Sequence, residues 1–188
     1  QLMKAAIVLL ADCMAQNFVR KIVFALDQEY QIDFYGSLLP AHVSLKQPFA
    51  FEDMGRLESY FDALAASIPP FRIELNEIYY ADWSGYGILG VNIIETPILR
   101  ELHNRLNREL CKLFRDTSAP HDGDEYHFHM TIELGKVEKT NPYRAYYDGL
   151  EDKSVNLAFL AKEIALFYYT GRDHLSFFNY KVLPLTGE

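Results

Sequence analysis

Hydrophobic and polar positions along this chain switch between two periods, and the switches mark out its elements. Residues 5–11 form an unbroken apolar run of the length of a buried strand. Phe18, Ile22, Leu26 and Tyr30 then recur every four residues, which predicts an amphipathic helix. Gly36 and Pro40 punctuate the chain, and residues 42–49 read as a strand that ends at Pro48. Helical spacing returns from about Asp53 through Leu57, Phe61, Leu64 and Ile68 and stops at Pro69-Pro70. Residues 71–80 and 87–94 alternate and are rich in Ile, Val and Tyr, which predicts a strand pair around a loop holding Asp82, Ser84 and Gly85.

Thr96 offers a helix N-cap and Pro97 suits the first helical position; Leu99, Leu102, Leu106, Leu110 and Leu113 then build a long apolar stripe. A polar loop over 117–125 leads into a strand over 126–134, and a short connecting segment follows. Two β-rich runs, 163–170 and 177–183, flank the turn-like tetrad Gly171-Arg172-Asp173-His174.

Each half therefore reads as apolar strand, amphipathic helix, polar loop, then a strand opening on a histidine. Such a structural repeat predicts an α+β fold of two lobes related by a pseudo-twofold, each an antiparallel sheet with outer helices. The lobes intertwine in one domain over residues 1–188, and the two histidine strands face each other across a groove.

Composition narrows the partners. A chain of 188 residues with 49% hydrophobic and 23% charged residues buries a substantial core and has the make-up of a soluble globular protein. Its net charge of −8 argues against a grip on long duplexes, because nonspecific affinity for nucleic acid comes from Lys and Arg neutralising phosphates. A short ligand in a local pocket is compatible with that charge. Cys13 and Cys111 show no metal-type spacing and read as free thiols. The run after Lys4 is too short for the core of an export signal and is followed by Asp12, so it reads as a strand. No stretch is long enough to span a membrane. The expectation is a monomeric cytoplasmic protein.

The chemistry lies in His42-Val43-Ser44-Leu45 and His129-Met130-Thr131-Ile132. Residues i and i+2 of a strand share a face, so each motif presents an imidazole and a hydroxyl about 7 Å apart on one side. Cleaving a phosphodiester needs one proton taken from the attacking oxygen and another delivered to the leaving alkoxide. Two imidazoles divide that work near neutral pH, while Ser44 and Thr131 donate hydrogen bonds to the non-bridging oxygens. The scheme requires no metal or other cofactor.

These paired motifs, with the flanking Lys46 and Phe128, the central strand pair, the long helix and the closing strand pair, resemble the 2H phosphoesterase superfamily, which includes the 2′-5′ RNA ligase-like proteins and cyclic phosphodiesterases. The resemblance covers nearly the whole chain and implies a bilobal fold with the active groove between the lobes. It implies proton transfer by His42 and His129 on 2′,3′-cyclic phosphates, related cyclic phosphates or 2′-5′ linkages, with Ser44 and Thr131 binding phosphate. The implied partner is a small nucleotide or an RNA end. The ligase-like pattern often has a basic residue where this chain has Glu133-Leu134, which favours hydrolysis over ligation. A nucleotide-binding or RNA-end-binding module without turnover, and 2′-5′ ligase-like activity, are the alternatives.

Four further features bear on the site. His174-Leu175-Ser176-Phe177 matches the short motif too, but no helix precedes it at the matching distance, so it reads as surface. His127 lies two residues before His129, which suggests a groove-lining or supporting role, and with Glu133 it raises a metal-site alternative. Lys46 shares the face of Ser44 and could attract a phosphate. Tyr86, Tyr126 and Tyr168 are candidates for stacking on a base.

Overall fold

The computed structural model describes residues 3–169, 171 and 176–188. The apolar run forms β1 (Met3–Leu10), whose residues from Ala5 to Leu9 are almost wholly excluded from solvent. Asp12 caps the following α1 (Cys13–Tyr30) by accepting a hydrogen bond from the Ala15 amide, and Ala15, Val19, Ile22, Val23 and Leu26 form its buried stripe. A 3-10 turn over Gly36–Leu38 leads into β2 (His42–Ser44). The single strand expected over residues 42–49 is two: the chain bends after Ser44, and β3 (Phe49–Phe51) pairs with the other end of β1. Pro48, which lacks an amide hydrogen to donate, sits in the bend.

Helix α2 (Met54–Ser67) starts at its Asp53 cap and is followed by β4 (Phe71–Trp83) and β5 (Tyr86–Ile93), the anticipated hairpin. Thr96 caps α3 (Pro97–Leu113) as its sequence suggests. Strand β6 (His129–Lys136) begins three residues later than expected, because residues 126–128 approach it as irregular chain. The segment read only as a connection contains α4 (Pro142–Gly149) and β7 (Ala158–Ala161). Strands β8 (Glu163–Tyr169) and β9 (Phe177–Pro184) close the fold; His174, which falls between them in sequence, lies outside the described residues.

Two antiparallel sheets result. One runs β2-β1-β8-β9, with β3 also on β1, and the other runs β6-β5-β4-β7. The lobes are not the two halves of the sequence, since β8 and β9 join the sheet begun by β1. The large core extends through both lobes, and a second cluster of Ala6, Val8, Ala165 and Phe167 covers the opposite face of β1 and β8. Among the described residues no helix is long and apolar enough to cross a membrane. Cys13 and Cys111 are exposed free thiols.

Candidate active site

Strand alternation sets the orientation of both motifs. Val43 is buried in the core while His42 and Ser44 turn the other way, and Met130 is buried while His129 and Thr131 turn out together. The strands β2 and β6 lie against one another, and each imidazole sits close enough for His129 to oppose protonation of His42.

Both rings are held by one backbone device. Nδ1 of His42 lies 2.8 Å from the carbonyl oxygen of Pro40, and Nδ1 of His129 lies 3.0 Å from that of His127. A carbonyl oxygen only accepts, so in each ring Nδ1 carries the hydrogen and the neutral ring keeps Nε2 free as an acceptor. His127 thus supports His129 through its main chain, while its own side chain is exposed.

The surroundings of the two rings differ. Phe167 stands edge-on to His42, with ring centroids 4.8 Å apart, and Ala6, Val8 and Ala165 extend the apolar floor of that sheet face. Burial among these groups pushes His42 down to about 4, against the opposing effect of its bond to Pro40. His129 is also lowered, chiefly by burial, with His127 adding repulsion and the carbonyl bond opposing it. Its neighbours are more polar: Asn92 is its cross-strand partner on β5, and the Tyr79 ring stands edge-on at 6.2 Å. The hydroxyls of Ser44 and Thr131 are half-buried and bond to no protein group among the described residues.

A cavity of about 460 Å³ opens beside His42 and Thr131, walled by α1, the 3-10 turn and β6. His129 and Ser44 do not line it, so the cavity flanks the histidine pair instead of containing it. Among the described residues Arg20 is the one charged side chain in its lining, and it bonds to no protein group there. Tyr35, Leu38 and Phe177 add apolar surface suited to a base or sugar. None of Tyr86, Tyr126 and Tyr168 lines this cavity: Tyr86 packs on Trp83, Tyr168 on Phe51, and Tyr126 is buried.

Lys46 departs from its expected role. It is 0% exposed, and its ammonium donates to Asn107 Oδ1 at 2.8 Å, to the Thr117 carbonyl at 2.8 Å and to Asp122 Oδ2 at 2.7 Å. With three donors and three acceptors it has nothing left for a phosphate. The bend after Ser44 carries Lys46 inward, where it anchors the loop that precedes His129. His103 reinforces this join: Nδ1 donates to the Leu45 carbonyl, Nε2 accepts from the Gly123 amide, and the ring stacks 4.2 Å from Tyr126. Tyr126 in turn donates its hydroxyl hydrogen to the Ser44 carbonyl. Sequence reading missed His103, although it interrupts the leucine stripe of α3 on its core-facing side.

The metal alternative loses its carboxylate. A bulge at Ile132 turns Glu133 inward, where it is 0% exposed and accepts hydrogen bonds from the Gly36 amide, from Ser37 Oγ at 2.7 Å and from the Leu134 amide. Burial raises its pKa in spite of these bonds. The position read as a departure from the ligase-like pattern is therefore a clamp on the turn that walls the cavity.

The family model of the 2′-5′ RNA ligase superfamily matches residues 12–173, a span that includes both histidine motifs. The chain belongs to this superfamily. Its fold is also that of solved 2H phosphoesterases. TT0787 of Thermus thermophilus is 13% identical, with a TM-score of 0.65 over 98% of this chain and 99% of that one. LigT of E. coli, crystallised with 3′-AMP, is 14% identical, with a TM-score of 0.59 over 99% of each chain. No curated protein matches by sequence. Superfamily membership supports phosphoester-processing activity in general.

Proposed function

We propose that this protein is a metal-independent phosphodiesterase that hydrolyses small nucleotide or RNA-end phosphoesters, either a 2′,3′-cyclic phosphate or a 2′-5′ linkage. The observation that carries this reading is the matched anchoring of two imidazoles on neighbouring strands, each with Nε2 free and a hydroxyl two residues on. In the resting state both rings are held neutral by burial. A phosphodiester anion entering between them favours protonation of one, so substrate binding itself brings the second proton into the site.

His42, seated on the apolar sheet face against Phe167, acts as base and takes a proton from the attacking water or neighbouring hydroxyl. As the new P–O bond forms, the bond to the leaving alkoxide breaks, and His129 delivers its proton to that oxygen. Ser44 and Thr131 donate to the non-bridging oxygens, whose charge builds in the transition state. Arg20 offers a charge to a further phosphate in the flanking cavity. LigT has been crystallised with 3′-AMP, ATP and NADP+, which agrees with a groove for small nucleotides.

The test is a product analysis by mass spectrometry with 2′,3′-cyclic nucleotides and 2′-5′ dinucleotides, with and without chelator. Phosphomonoester formation that survives chelation is expected. Activity abolished by chelator would favour a metal-dependent hydrolase. Tight binding with no turnover would favour a binding module, and joining of RNA ends without hydrolysis would favour a ligase.

A further inference from the structure

Tyr79 stands out on the groove face of the second sheet. Register places it there: Tyr79 pairs with Gly90 on β5, and Gly90 pairs with Thr131 on β6, so all three point to the same side as His129 and Asn92. The ring lies flat across Gly90. A Cβ at that position would fall 2.6 Å from Cε1, Cζ and Oη of Tyr79, so only glycine leaves the ring its place. On its other side the ring meets His129 at near right angles. Two neighbours therefore fix where the hydroxyl sits.

That hydroxyl has no protein partner among the described residues; burial alone accounts for the rise of its pKa, with no hydrogen bond contributing. The half-buried ring presents this unpartnered hydroxyl to the groove, where it can donate to an entering oxygen. Facing cross-strand residues have Cβ atoms about 5 Å apart, so Tyr79 Oη, lying over the Cβ position of Gly90, is on the order of 5 Å from Thr131 Cβ. Hydroxyls set on neighbouring strands in this way can each donate to a different oxygen of one tetrahedral phosphoryl group. Tyr79 also lies near enough to influence Tyr126, whose hydroxyl is bonded to the Ser44 main chain.

We propose that Tyr79 is a catalytic hydrogen-bond donor to a non-bridging phosphoryl oxygen, alongside Thr131, and that Gly90 is the positioning residue that admits its ring. The assignment rests on reading the groove as a phosphoesterase site. Because the hydroxyl stays protonated throughout the working pH range, it donates without itself titrating.

Steady-state kinetics on a 2′,3′-cyclic nucleotide, with inorganic phosphate as competitive inhibitor, test the assignment. Tyr79→Phe retains the ring and the fold and is expected to lower kcat/KM by about ten- to a hundredfold, mostly in kcat, and to weaken phosphate inhibition. Gly90→Ala, which displaces the ring, should lose a similar factor, and the double variant should be no worse than either single one. Wild-type kcat/KM in Tyr79→Phe overturns the assignment. So does a rise in KM alone with phosphate inhibition unchanged, which would mean that the ring stacks on a base. Turnover retained by His42→Ala and His129→Ala would overturn the phosphoesterase reading itself; inactivity of those variants beside a fully active Tyr79→Phe overturns only the role of Tyr79.

Discussion

His42 stands on a floor of hydrocarbon, with Phe167 at its edge, while His129 stands on a shelf shared with Tyr79, Asn92 and Thr131. The backbone treats the two rings alike, tying each Nδ1 to the carbonyl two residues earlier. The difference between the faces sets two identically anchored rings in unlike surroundings. Main-chain geometry fixes which nitrogen is offered, and the surrounding side chains fix how readily it takes a proton. Under the proposed mechanism, a base that must be neutral before attack suits the apolar face, and an acid that must be protonated suits the more polar one.

Removing either ring is the most severe way to break this comparison. His42→Ala and His129→Ala should each lower kcat/KM by about 10³- to 10⁴-fold, and the double variant should fall little further, because the pair acts as a unit. Steady-state rates on a cyclic nucleotide check this, and strongly additive losses would mean that the rings work independently. Next comes the join between the faces. Lys46→Met leaves Asp122 buried without its cation and should destabilise the fold by about 3–5 kcal/mol, read from urea unfolding. A Lys46→Met protein of unchanged stability but weakened phosphate binding would return that residue to the ligand.

The gentlest test titrates the two faces separately. In the free protein His42 should titrate at about 4 and His129 below 6.5, followed by NMR of the ring C–H signals. The base works only above its own pKa and the acid only below its own. The bell in kcat/KM should therefore peak on the acidic side of 6.5. A peak well above neutrality would show that the rings are not desolvated as described.

Periodicity made much of the frame legible. The leucine stripe of α3 with its Thr96-Pro97 start, the β4–β5 hairpin and the alternation of both histidine motifs all follow from local pattern. What the sequence concealed depends on contacts between distant residues. A lysine two positions after Ser44 reads as a partner for phosphate until the bend that buries it is seen. The inward turn of Glu133 comes from a bulge defined by pairing with β5, and the exposure of Tyr79 to the groove depends on a glycine eleven positions away in the chain having no side chain. None of these has a local signature.

The central strand of the first sheet also constrains how the protein is made. β1 is among the most apolar segments and pairs on one edge with β2 and β3, but its other edge waits for β8, more than 150 residues later. During synthesis that edge stays open until residues 163–169 have left the ribosome, presenting unpaired amides and carbonyls beside hydrocarbon. The floor beneath His42 forms only when Ala165 and Phe167 arrive. The candidate site is thus incomplete until β8 has been made, and the nascent protein is most exposed to misassembly just before that strand is added.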